Sequence, residues 1–128
     1  MIILGLVLAG LAALVHVVIF RMESLTWTSA ATRRTFSTTQ EEAETTRELA
    51  FNQGFYNLFL AIGAFLGIFL VGLGHLAVGA TLVISATASM AAAATVLLLS
   101  SPDKRGAALK QGVVPALSVL AMTVGLAL

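Results

Sequence analysis

The 128-residue chain has no cysteine, which excludes disulfides, thiolate chemistry and every Cys-based metal site. It has two histidines, and without cysteine these argue against a structural zinc centre. Charge is scarce as well. Asp, Glu, Lys and Arg make up 10% of the residues, where soluble domains carry roughly 25%. The formal net charge is +1, which offers no basic surface to a nucleic acid, so no nucleic-acid partner is expected. What remains is apolar: 59% of the residues are hydrophobic, and the mean hydropathy is +1.00. The natural solvent for such a chain is a lipid bilayer. Its length suits one compact membrane domain, with no second soluble one.

A spanning helix needs about 20 predominantly apolar residues. Four runs qualify, at 2–20, about 49–72, about 75–99 and about 107–128. The predicted fold is therefore all-α, an integral membrane four-helix bundle forming a single domain over 1–128. The second and third runs are separated only by "VGLGH", an uncharged glycine turn that predicts an antiparallel hairpin. The third and fourth are separated by "SSPDKRG", where Pro102 and Gly106 punctuate the chain. The first run lacks a basic leader, is long, and precedes no A-x-A site, so it is expected to be a retained span rather than a signal peptide.

Every Lys and Arg lies in two places. Arg21, Arg33, Arg34 and Arg47 fall between the first two spans; Lys104, Arg105 and Lys110 fall between the third and fourth or at the start of the fourth. The positive-inside rule then puts both connections in the cytoplasm and both termini outside, an N-out/C-out arrangement. So biased a distribution argues against the dual-topology multidrug pumps. The expected location is a bacterial cell membrane, crossed several times, with the lipid bilayer itself as the first partner.

The connection 21–48 is predicted to be partly helical. Thr39 with Glu42 three residues on suits a capping box, and Glu41, Glu42 and Glu44 favour a helix N-terminus. One helix is expected to run from about residue 40 straight into the second span. The first span is expected to overshoot through "RMESLTW" and break in "TSAATRRT". Small residues four apart, such as Gly5 and Ala9 or Gly63 and Gly67, let helices approach closely. Gly63-x-x-x-Gly67 suits either a homodimer face or packing within the chain.

Polar side chains in the spans carry the functional question. Asn52, Gln53, Tyr56 and Asn57 all sit where the second apolar run begins. On a helix Asn52 and Tyr56 share a face, extended by Glu48, and so do Gln53 and Asn57. An unpaired amide in hydrocarbon costs several kcal/mol, so these groups must face protein, water or a ligand. In the first span, His16 and Glu23 are seven apart, about 20° from alignment and roughly 10 Å apart along a helix axis. Trp27 follows Glu23 at i+4. Pairing the first two helices would place His16, Glu23, Asn52 and Tyr56 around one polar pocket near the cytoplasmic side. Blander roles compete with each. Glu23 suits a solvated partner of Arg47 or Arg34, Trp27 an interfacial anchor, and His16 and the amides interhelical bonds. His75 is expected to be solvated at the outer turn. Thr81, Ser85, Thr87, Ser89 and Thr95 are expected to bond back to their own helix. Pro115 is expected to free the carbonyl of Gln111 and kink the last span.

Taken together, His16, Glu23 and Trp27, the box "LAFNQGFYNLFLA" and the late element "KQGVVPA" resemble a family of small bacterial membrane proteins, domain of unknown function 1304. The resemblance covers nearly the whole chain. It implies a four-helix membrane protein and brings no activity. It marks as signature positions His16, Glu23, Trp27, Asn52, Gln53, Gly54, Tyr56, Asn57, Gln111, Gly112 and Pro115. Phe55 stands where that box often has leucine.

The leading functional expectation is a binding module holding a small amphipathic or lipid-like molecule, with no cofactor and no metal. Its candidate pocket is His16, Glu23, Trp27, Asn52, Gln53, Tyr56, Asn57 and Gln111. The first alternative is an enzyme using His16 or Glu23 as general acid or base on a lipid-soluble substrate. The second is a structural subunit of a membrane complex. Transport is disfavoured, because no pair of discontinuous helices is visible.

Overall fold

A computed structural model describes residues 1–128. Helix α1 spans Ile2–Phe20 and continues through one π-helical turn, Arg21–Leu25. Two short helices follow, α2 (Ala30–Phe36) and α3 (Gln40–Thr45). Then come α4 (Arg47–Gly72), α5 (Leu76–Ser100) and, after a 3-10 turn at Pro102–Lys104, α6 (Arg105–Ala127). Four of these segments are long and apolar enough to cross a membrane. The chain is a multi-pass membrane protein built as an all-α four-helix bundle. With 26 residues, α4 rises about 39 Å, against a hydrocarbon core of roughly 30 Å, so it is long enough to cross with some tilt.

The four long helices form a closed ring. α1 packs on α4, α4 on α5, α5 on α6, and α6 returns to α1. What holds them is the reverse of a water-soluble core. The buried residues are mostly alanines and small or polar groups, among them Ala9, Ala12, Ala61, Ala64, Thr87 and Ser118. Leucine, valine, isoleucine and phenylalanine side chains, such as Ile3, Leu11, Phe59 and Phe69, face outward. Lipid is as apolar as leucine, so burying leucine gains little, whereas small residues let backbones approach and make van der Waals contact. Ser118 adds a buried bond, its hydroxyl donating to the Gly5 carbonyl at 2.9 Å. The glycine pair offered as a dimer face is used inside the chain: Gly67 lies against Gly79 and Val83 of α5, and Gly63 against Ala86.

Local chemistry explains the helix ends. The α4–α5 hairpin turns at Gly74 with φ +87°. His75 N–H bonds the Leu70 carbonyl at 2.9 Å and Gly74 N–H that of Val71 at 3.0 Å, the two bonds of a Schellman motif. The capping box at Thr39 and Glu42 is present with both reciprocal bonds. Thr81, Thr87, Ser89 and Thr95 each donate to their own helix carbonyl four residues back.

Three expected boundaries move. The helix that starts at residue 40 does not run on into the second span; it breaks at Thr46, where φ is −98° and ψ is 7°. There the Thr46 hydroxyl donates to the Glu42 carbonyl and accepts from Trp27, so a tertiary contact marks the break where no Pro or Gly does. The first span ends at Leu25, short of Trp27, and part of the expected break forms α2. Ser29 caps that helix by accepting from Thr32 N–H at 3.3 Å, and Ser37 ends it in the left-handed region at φ 53°. Gly106 lies inside α6 rather than punctuating the connection.

Candidate functional site

Where α1 passes into its π turn, it lies against the start of α4. The contact is closest at Gly54. A Cβ there would meet the Ser24 hydroxyl, and would lie 3.0 Å from Ser24 N and 3.1 Å from the Phe20 carbonyl. Glycine at this position therefore lets two backbones touch. The Ser24 hydroxyl donates across the same contact to the Phe51 carbonyl at 2.8 Å. An extra residue in the turn re-aims the side chains beyond it. Glu23, one residue before Ser24, turns toward α4. Its carboxylate accepts from Asn57 Nδ2 at 2.8 Å, and that amide also donates to the Gln53 carbonyl at 3.2 Å.

Beside this pair lies a chamber of about 290 Å³. His16 and Glu23 form the α1 wall, with Trp27 just beyond. Gln53, Tyr56 and Asn57 come from α4, Met90 and Leu97 from α5, and Gln111 from α6. Phe36 of α2 and Lys104 of the 3-10 turn close the end. Seven of the eight residues singled out from the sequence thus line one space. The eighth, Asn52, does not. It is exposed and lines an adjoining vestibule with Thr38, Glu42, Thr46 and Lys104. Glu23, Trp27, Gln53 and Tyr56 border both spaces, so the two are continuous there.

On α4 it is accordingly Asn57 that bonds Glu23; Gln53 and Tyr56, both exposed, border the same chamber, and Asn52 lies outside it. The partner of Glu23 is the Asn57 amide rather than Arg47 or Arg34. Trp27 is half-buried; its indole N–H donates to the Thr46 hydroxyl at 3.1 Å, and its ring tilts against Phe36 with centroids 5.2 Å apart. This ties the end of α1, α2 and the α3–α4 junction together.

His16 is 2% exposed. Its Nδ1 lies 2.9 Å from the Ala12 carbonyl, and a carbonyl only accepts, so Nδ1 carries the proton in that bond. No fully buried side-chain nitrogen or oxygen lacks a partner. Nε2 makes no protein hydrogen bond, so it must reach open space, and the space His16 borders is the chamber. In neutral imidazole that atom is an acceptor. The Gln111 amide and the Tyr56 hydroxyl also border the chamber and have no protein partner, whereas Glu23 retains further lone pairs beyond the one Asn57 uses. The wall can therefore donate and accept, and it carries one carboxylate and one ammonium group.

Other signature positions serve the frame. A Cβ on Gly112 would meet the Ala94 Cβ, so Gly112 sets the approach of α6 to α5; Pro115 is buried inside α6. Reading the sequence did not single out Phe36, Met90 or Lys104. Phe36 carries one signal, being the only aromatic besides Trp27 in a polar connection. In the sequence Lys104 signals only topology.

Outside the membrane-spanning segments, Glu42 is held below the usual carboxylate range, first by the backbone N–H of Thr39 and then by the Thr39 hydroxyl. No group of three or more His, Asp or Glu side chains converges to suit a metal.

No curated protein and no solved structure matches the chain. A family model does, the protein of unknown function DUF1304, aligned over residues 10–123 and so over His16, Glu23, Trp27, the α4 box and Gln111. That alignment takes in all four helices, and the chain belongs to the DUF1304 family.

Proposed function

We propose that this chain is a small binding module of a bacterial cytoplasmic membrane, holding a small amphipathic or lipid-like molecule in the chamber at the cytoplasmic end of the bundle. One observation carries the reading. A chamber of about 290 Å³ presents polar atoms without protein partners, on the buried His16 and the half-buried Gln111, with the exposed Tyr56 hydroxyl at its edge. Leaving such groups unpaired in a bilayer is costly, and a ligand satisfies them. The orientation follows from charge: Arg21, Arg33, Arg34, Arg47, Lys104, Arg105 and Lys110 all belong to the two connections at the chamber end or to the adjoining helix turns.

The test is native mass spectrometry of protein extracted gently from its own membrane, comparing wild type with Tyr56→Phe/Gln111→Leu. Neither side chain makes an internal bond, so the pair removes chamber chemistry without breaking the frame. A co-purifying molecule held by wild type and lost by the variant supports the reading. An empty wild type of unchanged mass refutes it, and favours a structural subunit whose polar groups only fasten helices.

A second reading has one observation in its favour. His16 Nε2 opens into the same chamber as the Glu23 carboxylate, an arrangement suited to general acid–base chemistry on a lipid-soluble substrate. His16→Gln would then retain the bound molecule while stopping its conversion. Equal conversion by that variant would exclude this role.

A further inference from the structure

The chamber poses a problem of size. At about 290 Å³ it stands at the small end of the range for small-molecule sites. It accommodates a polar head, not a whole lipid-like molecule. The tail must lie elsewhere. The vestibule beside the chamber, lined largely by polar side chains, does not suit an alkyl chain, whereas an apolar space that also adjoins the chamber does. Between α1 and α6, on the outer face of the bundle, runs a groove of about 300 Å³. Its floor is Leu14, Val15, Val18, Ile19 and Met22, with Ala107 opposite. From Leu14 to Met22 the helix rises roughly 12 Å, the reach of a short stretch of alkyl chain. Phe36 and Gln111 line this groove and also line the chamber. They are the partition between an apolar outer space and a polar inner one.

Resting on the binding reading above, we infer that the chamber is reached sideways, from the bilayer. The occupant is a single-chain amphiphile with a small uncharged hydrogen-bonding head. Its head passes between Phe36 and Gln111, and its tail stays in the α1/α6 groove. Bilayer and groove are both apolar, so the tail gains little by moving from one to the other. The groove instead lets the tail remain in an apolar medium while the head turns inward. Selectivity then rests with the head. The chamber wall holds one acidic side chain, Glu23, and one basic side chain, Lys104, so it offers no cluster of like groups to select an ionic head. Lys110 and Thr35 border the groove at the chamber end, where the polar part of the amphiphile crosses.

Trp27 makes this testable, being the single tryptophan of the chain and a chamber residue. The protein is placed in bilayer nanodiscs. Its Trp27 fluorescence is titrated with a monoacylglycerol bearing a nitroxide on its glycerol head, and separately with the same nitroxide head lacking a tail. Ala107→Phe, which borders the groove but not the chamber, narrows the path; Ala107→Val is a milder version should the larger side chain disturb folding. The expected result is saturable quenching by the tailed probe, competed by unlabelled monoacylglycerol and weakened at least tenfold in apparent affinity by Ala107→Phe, with a smaller loss in Ala107→Val. The head alone should not quench saturably. Saturable quenching that survives both substitutions would overturn the lateral route while leaving the chamber as a binding site. Saturable quenching by the tailless head would likewise overturn it, by showing access through the vestibule. Non-saturable quenching by both probes would overturn this inference, whereas the binding reading is judged separately by the co-purified molecule.

Discussion

Replacing Gly54 with alanine is the sharpest test of how the site is built. Gly54 is where α4 touches the π turn that carries Glu23 and Ser24. The added methyl group would overlap the Ser24 hydroxyl, and it would also press on two backbone atoms, Ser24 N at 3.0 Å and the Phe20 carbonyl at 3.1 Å. A hydroxyl can rotate away, but a helix backbone cannot. Overpacking of this kind costs about 1–3 kcal/mol. Moving Ser24 also strains its 2.8 Å bond to the Phe51 carbonyl, and such bonds in membranes average about 0.6 kcal/mol with a maximum near 1.7. The expected loss is therefore about 2–4 kcal/mol. Gly106→Ala is the control, since nothing lies within 4 Å of a Cβ there. Gly106 is the second residue of α6, so its replacement should be neutral or gain up to about 1 kcal/mol, chiefly by restricting the unfolded chain. Both are read by reversible unfolding in bicelles, followed by Trp27 fluorescence. If Gly54→Ala were as stable as Gly106→Ala, the close approach of the π turn to α4 would be wrong, and with it the placement of Glu23.

Further predictions concern single bonds. A double-mutant cycle between Glu23→Ala and Asn57→Ala, each of which removes the bond, should give a coupling of roughly 1–2 kcal/mol, and no coupling would mean that the 2.8 Å contact is not formed in a membrane. Ser118→Ala should cost about 0.6–1.7 kcal/mol through loss of its bond to the Gly5 carbonyl, with Thr123→Ala, exposed on the same helix, as the near-neutral comparison. Trp27→Phe removes the indole bond to Thr46; amide hydrogen exchange in the α3–α4 junction should quicken while that of the α4–α5 hairpin is unchanged. The cap of α3 should depend on pH. The folded-state pKa of Glu42 is depressed, so its contribution is full above the ordinary carboxylate value and is lost as pH falls through the depressed one. Protection of the Thr39 amide, followed by NMR, should fall in that acidic window and be insensitive to pH in the Glu42→Gln variant.

Much of the fold was legible because its signals are local. A run such as 75–99 needs no partner to declare itself a span, since its length and apolarity are properties of one segment. Gly74 turns the hairpin because few other residues adopt φ +87°, and Thr39 with Glu42 caps α3 through atoms three residues apart. The types of residue at the candidate site were legible too, because a polar group in an apolar run is conspicuous wherever it points.

Tertiary structure decided everything that depends on how one helix is rotated against another. The sequence presents two polar stripes on α4, and periodicity alone cannot rank them. The contact at Gly54 brings Asn57 onto Glu23, and of the other three polar residues Gln53 and Tyr56 border the chamber while Asn52 stays outside. The break at Thr46 has no local breaker and coincides with a bond from a tryptophan 19 residues away. Phe36 and Lys104 close the chamber from connections that look like solvated loops when read alone. Spans and caps follow from energies within a single segment. A chamber is the space left between segments, and the small residues that bring those segments together set its shape.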